Sequence, residues 1–336
     1  MATFETSLKS RLIYVFAIPD EWHKDCLKVG ETTLEEDDGN FPLPNSEVLN
    51  KAACDRIDQY TKTAGIAYNL LHTEMTVFFK GGTISSFNDK QVHSVLERSG
   101  VKKKTFDTVK GANEWFCCDL ETVKKAIHAV KNGRNSLNAS DISYTQTPII
   151  FRPEQQAAID KTKKQFKKGA QMLWNAKMRF GKTLCALRVA RDLEMRRTII
   201  LTHRPVVDES WFEDFGKIFY DRTDYHYGSR TKGEDFTSLE RLAKKGDRYV
   251  YFASMQDMRG AQLVGGKFDK NNEVFSTDWD FLIVDEAHEG TRTELGESVI
   301  KELTKANTKV LKLSGTPFNL LDDYTEEETY TWDYTM

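Results

Sequence analysis

The sequence lacks most features that would mark a secreted, membrane-bound or disulfide-stabilised protein. Its five cysteines are an odd number and contain no Cys-x-x-Cys pair, which argues against both a disulfide framework and a zinc site. No apolar run is long enough to cross a membrane, and the N-terminus lacks the cationic start and apolar stretch of a secretory signal. These absences predict a cytoplasmic protein with reduced thiols and no membrane partner.

An excess of positive charge is also absent. The 336 residues carry a formal net charge of −3, so the chain as a whole does not have the basic character of many nucleic-acid-binding proteins. Contact with nucleic acid would have to come from local patches such as residues 102–104 and 161–168, although charge runs of this kind are usually solvated faces. Hydrophobic residues make up 39% and charged residues 29%, which indicates a globular protein of about two domains.

A polar segment divides the chain. Residues 133–148 are rich in Ser, Asn and Thr and have no apolar periodicity, which predicts a linker between domains at 1–132 and 149–320. Short strands mixed with helices indicate a small α+β domain in the first half, with helices expected at 48–63, 89–98 and 120–130.

Apolar strand runs alternate with helices in the second half. This pattern predicts an α/β fold built on a parallel sheet that is covered on both faces. Two polar, glycine-containing stretches, at 221–246 and 259–278, are expected to be surface loops.

A segment of the second half has the chemistry of a phosphate cradle. Between a predicted strand and a predicted helix lie Ala176 and the triplet Gly181-Lys182-Thr183. The residues of the turn itself are Lys177, Met178, Arg179 and Phe180. Gly181 would let backbone N–H groups approach the phosphates, Lys182 would contact the β- and γ-phosphates, and Thr183 would ligate Mg²⁺. Ala176 stands where the pattern has glycine, and alanine can fill that position if its φ is negative.

A second motif would complete a nucleotide site. The apolar run 281–284 is followed by Asp285 and Glu286, so a buried strand would carry two carboxylates to the edge of the sheet where nucleotides bind. Asp285 would hold Mg²⁺ through water, and Glu286 would orient or deprotonate the attacking water. The two motifs together predict a site for ATP and Mg²⁺ and a water that attacks the nucleotide.

Six motifs in this order resemble the first ATPase lobe of superfamily 2 helicases and translocases, especially the DEAH-containing lobes of restriction-type enzymes. Besides the two motifs above, the likeness is carried by segments 151–156, 200–205, 251–256 and 313–318. The resemblance implies a RecA-like lobe over 149–320 and DNA as partner, with a duplex favoured over RNA.

The resemblance also implies roles for individual residues. Arg152 and Gln155 would belong to the segment that reads adenine, with Gln155 as the amide. His288 and the hydroxyls of Ser314 and Thr316 would link the γ-phosphate to contacts with nucleic acid.

Family members have a second lobe whose arginines reach the γ-phosphate. Residues 321–336 are therefore expected to begin a connection to a second ATPase lobe that is missing from this chain. On this interpretation the chain alone binds ATP weakly and hydrolyses it poorly.

The first half carries a set of shorter motifs. Leu12-Ile-Tyr14 and Lys28-Val-Gly30 lie on successive strands, Arg56 on the next helix, Asp89 on a later helix, and Asn113-Glu-Trp-Phe116 before the last strand. Their order resembles the GIY-YIG nuclease superfamily over 10–130, particularly its phage-type branch. The resemblance implies metal-dependent phosphodiester cleavage, in which Tyr14 orients or deprotonates water, Arg56 clamps the phosphate and Asp89 binds the metal.

Three functions stay open. One is a nuclease–translocase acting in restriction or anti-phage defence. Another keeps the ATPase but gives it an N-terminal domain that binds nucleic acid without cleaving it, which is favoured by Asp89 and Lys28 standing where the family has glutamate and tyrosine. The third is a P-loop ATPase that remodels proteins or acts as a switch, and the segments 151–156 and 313–318 count against it.

Overall fold

A computed structural model describes residues 10–34, 41–106, 114–142, 149–203, 205–287, 294–316 and 320–333. The chain separates into two compact units, Met1–Leu137 and Asn138–Met336. The division falls within the polar segment 133–148, in which Ala139–Asp141 form a turn of 3₁₀ helix.

The first unit is built on an antiparallel sheet. Its strands are β1 (Arg11–Ala17), β2 (Leu27–Thr33), β3 (Asn69–Met75), β4 (Val77–Lys80), β5 (Thr83–Ser86) and β6 (Trp115–Phe116). Its helices are α1 (Glu47–Thr61), α2 (Asp89–Arg98) and α3 (Leu120–Lys131). Four strands form one sheet in the order β3-β1-β2-β6, and β4 and β5 pair separately as a hairpin. The three predicted helices are thereby confirmed, with ends shifted by at most two residues.

The run of strand-forming residues at 75–79 would be expected to make one strand, but the structure divides it. β3 ends at Met75, Thr76 makes a bend, and β4 begins at Val77. The Thr76 hydroxyl donates to the Arg11 carbonyl at 3.0 Å, which fixes the bend against the start of β1.

One face of the sheet packs on α1. Alternate residues of β1 point to that face, as expected for a strand, and meet residues that recur at every fourth position of the helix. The buried residues concerned are Leu12, Tyr14 and Phe16 of β1 and Leu49, Ala53 and Ile57 of α1.

The second unit contains a seven-stranded sheet. Its strands are β7 (Gln171–Ala176), β8 (Arg197–Thr202), β9 (Tyr225–Gly228), β10 (Arg248–Ser254), β11 (Phe281–Val284), β12 (Lys309–Ser314) and β13 (Thr329–Trp332). Its helices are α4 (Pro153–Gln165), α5 (Lys182–Asp192), α6 (Asp208–Phe219), α7 (Phe236–Ala243), α8 (Met255–Arg259), α9 (Asn272–Ser276) and α10 (Glu294–Leu303). The order is β13-β7-β12-β11-β8-β10-β9, and every neighbouring pair is parallel. The predicted α/β class of the second half is confirmed.

Successive residues of each central strand enter different cores. Trp174 and Leu313 belong to one buried cluster, whereas Leu173 and Leu282 belong to another. Because both faces of the sheet are covered, its strands read as continuous apolar runs in the sequence. Among the described residues, no helix is both long and apolar enough to cross a membrane.

The expectation that 221–246 is a surface loop was wrong. This stretch contains β9 and α7, and Tyr225, His226 and Tyr227 are buried. Their polar atoms are compensated inside the protein, since Tyr227 donates to Asp208 at 2.7 Å and both ring nitrogens of His226 have hydrogen-bond partners. Stretch 259–278 likewise contains α9, which buries Val274 and Phe275.

Asp119 caps α3, and its removal should destabilise the first unit. Its carboxylate accepts from the Thr122 backbone N–H at 2.7 Å, so Asp119→Ala should cost about 1 kcal/mol in the free energy of unfolding. Hydrogen bonds from the backbone and side chain of Thr122 lower the pKa of Asp119. The stabilisation should therefore be present above the ordinary aspartate pKa and disappear as the pH falls through the lowered one.

Denaturant titration of the first unit between acidic and neutral pH measures both effects. Asp119→Asn is the control, because it keeps an oxygen acceptor without the charge. An equal loss of stability in Asp119→Asn and Asp119→Ala at neutral pH would contradict a role for Asp119 as a cap.

Candidate functional site

The predicted motifs of the second unit meet because its strands are parallel. β7, β12, β11 and β8 are consecutive neighbours, so their carboxyl ends lie at one edge of the sheet. Ser314 at the end of β12 pairs with Asn175, one residue before the end of β7. The backbone N–H of Asp285 donates to Leu201 at 2.9 Å, which aligns the ends of β11 and β8.

The phosphate-cradle segment forms a tight turn between β7 and α5. Gly181 has φ +88°, a conformation that strongly favours glycine, and a Cβ there would lie 2.7 Å from Gln155 Nε2 and displace that side chain. The Lys182 Nζ donates to the Ala176 carbonyl at 2.9 Å, so the ammonium connects the end of the turn to its beginning. Ala176 is buried and does not have a positive φ, which meets the condition set by the sequence.

Arg152 and Gln155 hold the backbone of this turn. Arg152 Nη2 donates to the Phe180 carbonyl at 2.9 Å and to the Arg179 carbonyl at 3.3 Å. Gln155 Nε2 donates to the same Phe180 carbonyl at 2.7 Å, and its Oε1 accepts from the Arg152 N–H at 2.9 Å. The segment predicted to read adenine is therefore joined directly to the phosphate cradle, while its contact with adenine stays a prediction.

Asp285 and Glu286 follow β11 as predicted. Trp211 Nε1 donates to Asp285 Oδ2 at 3.3 Å, and the Glu286 N–H donates to Asp285 Oδ1 at 2.9 Å. Burial and the adjacent Glu286 charge raise the pKa of Asp285, and the nearby Lys182 ammonium opposes this rise. Glu286 has φ +49°, an uncommon conformation for a residue with a side chain and one that concentrates at functional sites.

The segment after β12 lies beside the cradle. Ser314 is fully buried and accepts from the Thr316 N–H at 3.2 Å. A Cβ at Gly315 would lie 3.8 Å from both the Ala176 carbonyl oxygen and Lys182 Nζ, so this backbone runs in van der Waals range of the cradle. Thr316 is exposed.

Two further predicted residues of this edge differ in exposure. Thr183 is half-buried in the first turn of α5, and Met178 of the cradle is exposed. His288 lies outside the described residues.

Two contributors to the site were not expected from the sequence. Trp211 follows segment 200–205 of the resembled motifs, and its indole N–H donates to Asp285 Oδ2. β13 lies in the segment expected to leave the lobe, yet it pairs with β7, and the Lys177 N–H donates to the Trp332 carbonyl at 3.4 Å. The signal for this strand is the short run Thr329-Tyr-Thr-Trp332, rich in aromatic and β-branched residues.

A second polar cluster surrounds Tyr14 in the first unit. Tyr14 pairs with Gly30 across β1 and β2, and a Cβ at Gly30 would lie 2.7 Å from the Tyr14 hydroxyl oxygen. Arg56 and Tyr60, one turn apart on α1, both influence the pKa of that hydroxyl. Burial raises the pKa of Tyr14, and the neighbouring Tyr60 and Arg56 side chains oppose this rise.

Lys28 and Glu114 belong to the same cluster. Lys28 Nζ lies 3.3 Å from Glu114 Oε2 and 4.6 Å from the centre of the Tyr60 ring. Tyr60 was not singled out from the sequence, although its place one helical turn after Arg56 is a signal that could have found it.

The predicted metal ligand Asp89 begins α2. Its backbone N–H donates to Glu31 Oε2 at 3.3 Å, and burial followed by the Glu31 charge raises the pKa of Asp89. His93 has a structural partner, because its Nε2 is 2.9 Å from the Val29 carbonyl oxygen. Across the part of the chain that the structure describes, no group of three or more His, Cys, Asp or Glu side chains could hold a metal. Asn113 lies outside that part, and metal binding by Asp89 stays a prediction.

The parallel sheet and the motifs at its carboxyl edge define the second unit as a helicase-like P-loop ATPase lobe. The family described as "Type III restriction enzyme, res subunit" matches residues 148–319, more than half of the chain. This chain belongs to that family. The predicted likeness to restriction-type ATPase lobes is confirmed at this level.

One curated relative comes from Mycoplasma pneumoniae and is named "Putative type II restriction enzyme and methyltransferase RM.MpnORF110P C-terminus". It is 28% identical over 162 residues, which cover 46% of this chain and 22% of the relative. The chain therefore spans less than a quarter of the length of this relative.

Solved structures show fainter likenesses. The SWI2/SNF2 ATPase core of Sulfolobus solfataricus in complex with dsDNA has 16% identity and a TM-score of 0.39, covering 56% of this chain and 36% of that one. The UvsW helicase from bacteriophage T4 has 14% identity and a TM-score of 0.39, covering 63% and 77% respectively. Likenesses this low carry no further argument about the present chain.

Close packing of Gly30 on Tyr14 makes Gly30→Ala a test of the second cluster. The new methyl group would overlap the tyrosine ring, so we expect the first unit to lose about 1–3 kcal/mol of unfolding free energy. Gly216→Ala in α6 is the control, because a Cβ there meets no atom within 4 Å and alanine favours a helix by about 0.5–1 kcal/mol. Urea denaturation measures both changes, and an unchanged first unit in Gly30→Ala would show that Tyr14 does not occupy this position.

Proposed function

We propose that this protein acts on DNA as an ATP-driven helicase or translocase with an associated nuclease unit, in restriction or anti-phage defence. The observation that carries the ATPase part is the convergence of Lys182, Asp285 and Ser314, from three different motifs, at one edge of a parallel sheet. The family membership supports nucleotide hydrolysis, and the restriction-enzyme name of the Mycoplasma pneumoniae relative supports DNA as the substrate.

The edge of the sheet suits a magnesium nucleotide. The Thr183 hydroxyl and the Asp285 carboxylate are oxygen ligands, the kind Mg²⁺ prefers, and bound Mg²⁺ would neutralise phosphate charge. Lys182 and the backbone N–H groups at the start of α5 would bind the β- and γ-phosphates. Glu286 would hold the attacking water and accept its proton.

The adenine side of the nucleotide is assigned to Arg152 and Gln155. Both side chains donate to the Phe180 carbonyl of the cradle. A base bound beside them would therefore lie close to phosphates bound in the cradle. His288, Ser314 and Thr316 would relay the state of the γ-phosphate to the DNA-binding surface.

In the first unit, the Tyr14 cluster suits phosphodiester cleavage. Because burial raises the pKa of Tyr14, its hydroxyl is protonated at neutral pH, which favours orienting a water over deprotonating it. Arg56 is close enough to affect the pKa of Tyr14 and would supply a cation for the phosphate, while Lys28 adds a second cation near Tyr60. Asp89 would ligate Mg²⁺, which would stabilise charge on the phosphate.

A second candidate function is DNA binding by the first unit without cleavage. It is favoured by the lack of a three-ligand acidic or His/Cys group among the described residues and by the ion pair that engages Lys28 with Glu114. The two candidates differ in whether Tyr14 is needed for a chemical step or only for packing.

The ATPase proposal is tested by separating binding from hydrolysis. Lys182→Ala removes a charged donor to the phosphates, so we expect ATP affinity to fall about ten- to hundredfold. Glu286→Gln should keep ATP affinity and reduce DNA-stimulated phosphate release by about 10²-fold or more. Lys245→Ala, at an exposed lysine between α7 and β10 and outside the basic patches, is the control and should change neither value. ATP binding by Lys182→Ala at wild-type strength would contradict the assignment.

The nuclease proposal is tested by nicking of supercoiled plasmid with Mg²⁺ or Mn²⁺. Tyr14→Phe and Arg56→Ala should each reduce the rate about 10²-fold or more, because one loses the hydroxyl that orients water and the other loses the phosphate clamp. Tyr68→Phe is the matched control, since the Tyr68 hydroxyl bonds Asp58 at 2.8 Å and is assigned no catalytic role. Unchanged nicking in both test variants would refute the nuclease assignment, and DNA binding without nicking by the wild type would support the second candidate.

A further inference from the structure

β13 ends where the phosphate cradle begins. This edge strand pairs with β7 in a register that sets Thr331 opposite Asn175 and Trp332 opposite Ala176. The Lys177 N–H, the first of the cradle, donates to the Trp332 carbonyl at 3.4 Å. The backbone of Trp332 is thus joined to the point at which β7 gives way to the cradle.

The rings of β13 pack on the last side chain of the cradle. Phe180 is fully buried immediately before Gly181, and its ring centre lies 5.3 Å from that of Trp332 and 6.0 Å from that of Tyr330. Trp174 of β7 closes the cluster at 6.2 Å from Phe180. Offset and edge contacts of this kind fix ring orientation as well as burying area.

Trp332 also contacts Arg152. The guanidinium carbon lies 6.0 Å from the centre of a Trp332 ring, within the range of a cation–π interaction. The guanidinium edges are engaged as well, because Nη2 donates to Phe180 and Nε lies 3.0 Å from Glu154 Oε1. The Arg152 side chain nevertheless keeps 47% of its surface exposed. The guanidinium of Arg152 is thus fixed at two of its nitrogens and lies beside the indole. Its remaining exposed surface is available to a ligand.

β13 forms hydrogen bonds with α4 as well as with β7. The Tyr330 hydroxyl donates to the Glu154 carbonyl at 2.7 Å, in the first turn of α4. Lys161 Nζ donates to the Thr329 carbonyl at 2.6 Å and to the Glu326 carbonyl at 2.8 Å. The strand therefore links the element that carries Arg152 to the element that leads into the cradle.

We propose that Trp332 is a positioning residue of the nucleotide site, acting through Arg152 on the base of a bound purine nucleoside triphosphate. The inference rests on the proposed function of this edge as an ATP site. The indole holds the guanidinium against the Phe180 carbonyl, so Arg152 presents its exposed surface to the base while Lys182 binds the phosphates. Without the indole, the Arg152 side chain can adopt more rotamers. Binding of the base must then order it, and the lost conformational entropy weakens the binding.

Equilibrium binding by the full chain tests this role. Displacement of a fluorescent ATP analogue by ATP and by inorganic tripolyphosphate, each with Mg²⁺, separates the base from the phosphates. Trp332→Ala should weaken ATP about tenfold and change tripolyphosphate less than about twofold. Trp332→Phe keeps an aromatic face and should restore most of the ATP affinity.

Two further variants sharpen the result. Arg152→Ala should weaken ATP to a similar extent, and Trp332→Ala should add little on top of it, because both changes remove one interaction. Trp22→Ala is the control for loss of an indole, since Trp22 is 67% exposed and lies in the first unit. It should bind ATP as the wild type does.

Three outcomes would overturn the inference. Wild-type ATP affinity in Trp332→Ala would show that the indole does not position Arg152. An equal loss of ATP and tripolyphosphate would assign Trp332 to general support of the cradle. A folded wild-type chain that binds neither ligand would contradict the proposed ATP site itself, and the inference with it.

Discussion

The candidate ATP site depends on one constraint, the parallel arrangement of a sheet buried on both faces. Parallel strands bring all their carboxyl ends to one edge, so Lys182, Asp285 and Ser314 approach each other although more than a hundred positions separate the first from the last. Covering both faces requires apolar side chains at successive strand positions, which leaves the residues just beyond each strand as the place for polar chemistry. Fold and site therefore follow from the same pattern of apolar runs.

Burial at this edge sets the electrostatics as well. Asp285 has a raised pKa because it is buried and adjacent to Glu286, and the nearby Lys182 ammonium offsets part of that cost. A site of this kind is suited to a polyphosphate together with a divalent cation. The cation would balance the carboxylates and the phosphates, and Lys182 would balance the phosphates as well. The strained φ of Glu286 and the left-handed Gly181 lie in the two loops that would meet the phosphates. These uncommon backbone conformations thus occur in the loops that would closely approach the phosphates.

Features encoded in short contiguous runs could be predicted, whereas features created by packing could not. The cradle, the acidic strand end, three helices of the first unit and the parallel sheet all have local patterns. β9 and β13 are four residues long, and their stability comes from partners distant in sequence, such as Asp208 for Tyr227 and Glu154 for Tyr330. The hydrogen bond of Trp211 to Asp285 and the influence of Tyr60 on Tyr14 both depend on the tertiary fold, because these residues are distant in sequence.

The Tyr14 cluster of the first unit combines charged and aromatic side chains from different elements. The ammonium of Lys28 in β2 lies beside the ring of Tyr60 in α1, so a cation and an aromatic hydroxyl meet at this cluster. Lys28 and Arg56 bring two cations to this cluster, with Glu114 balancing one of them. A phosphate would add negative charge where cations are in excess, whereas Asp89 and Glu31 gather negative charge at the start of α2. In the proposed nuclease function, the cations would bind the phosphodiester and the acidic pair would bind the metal.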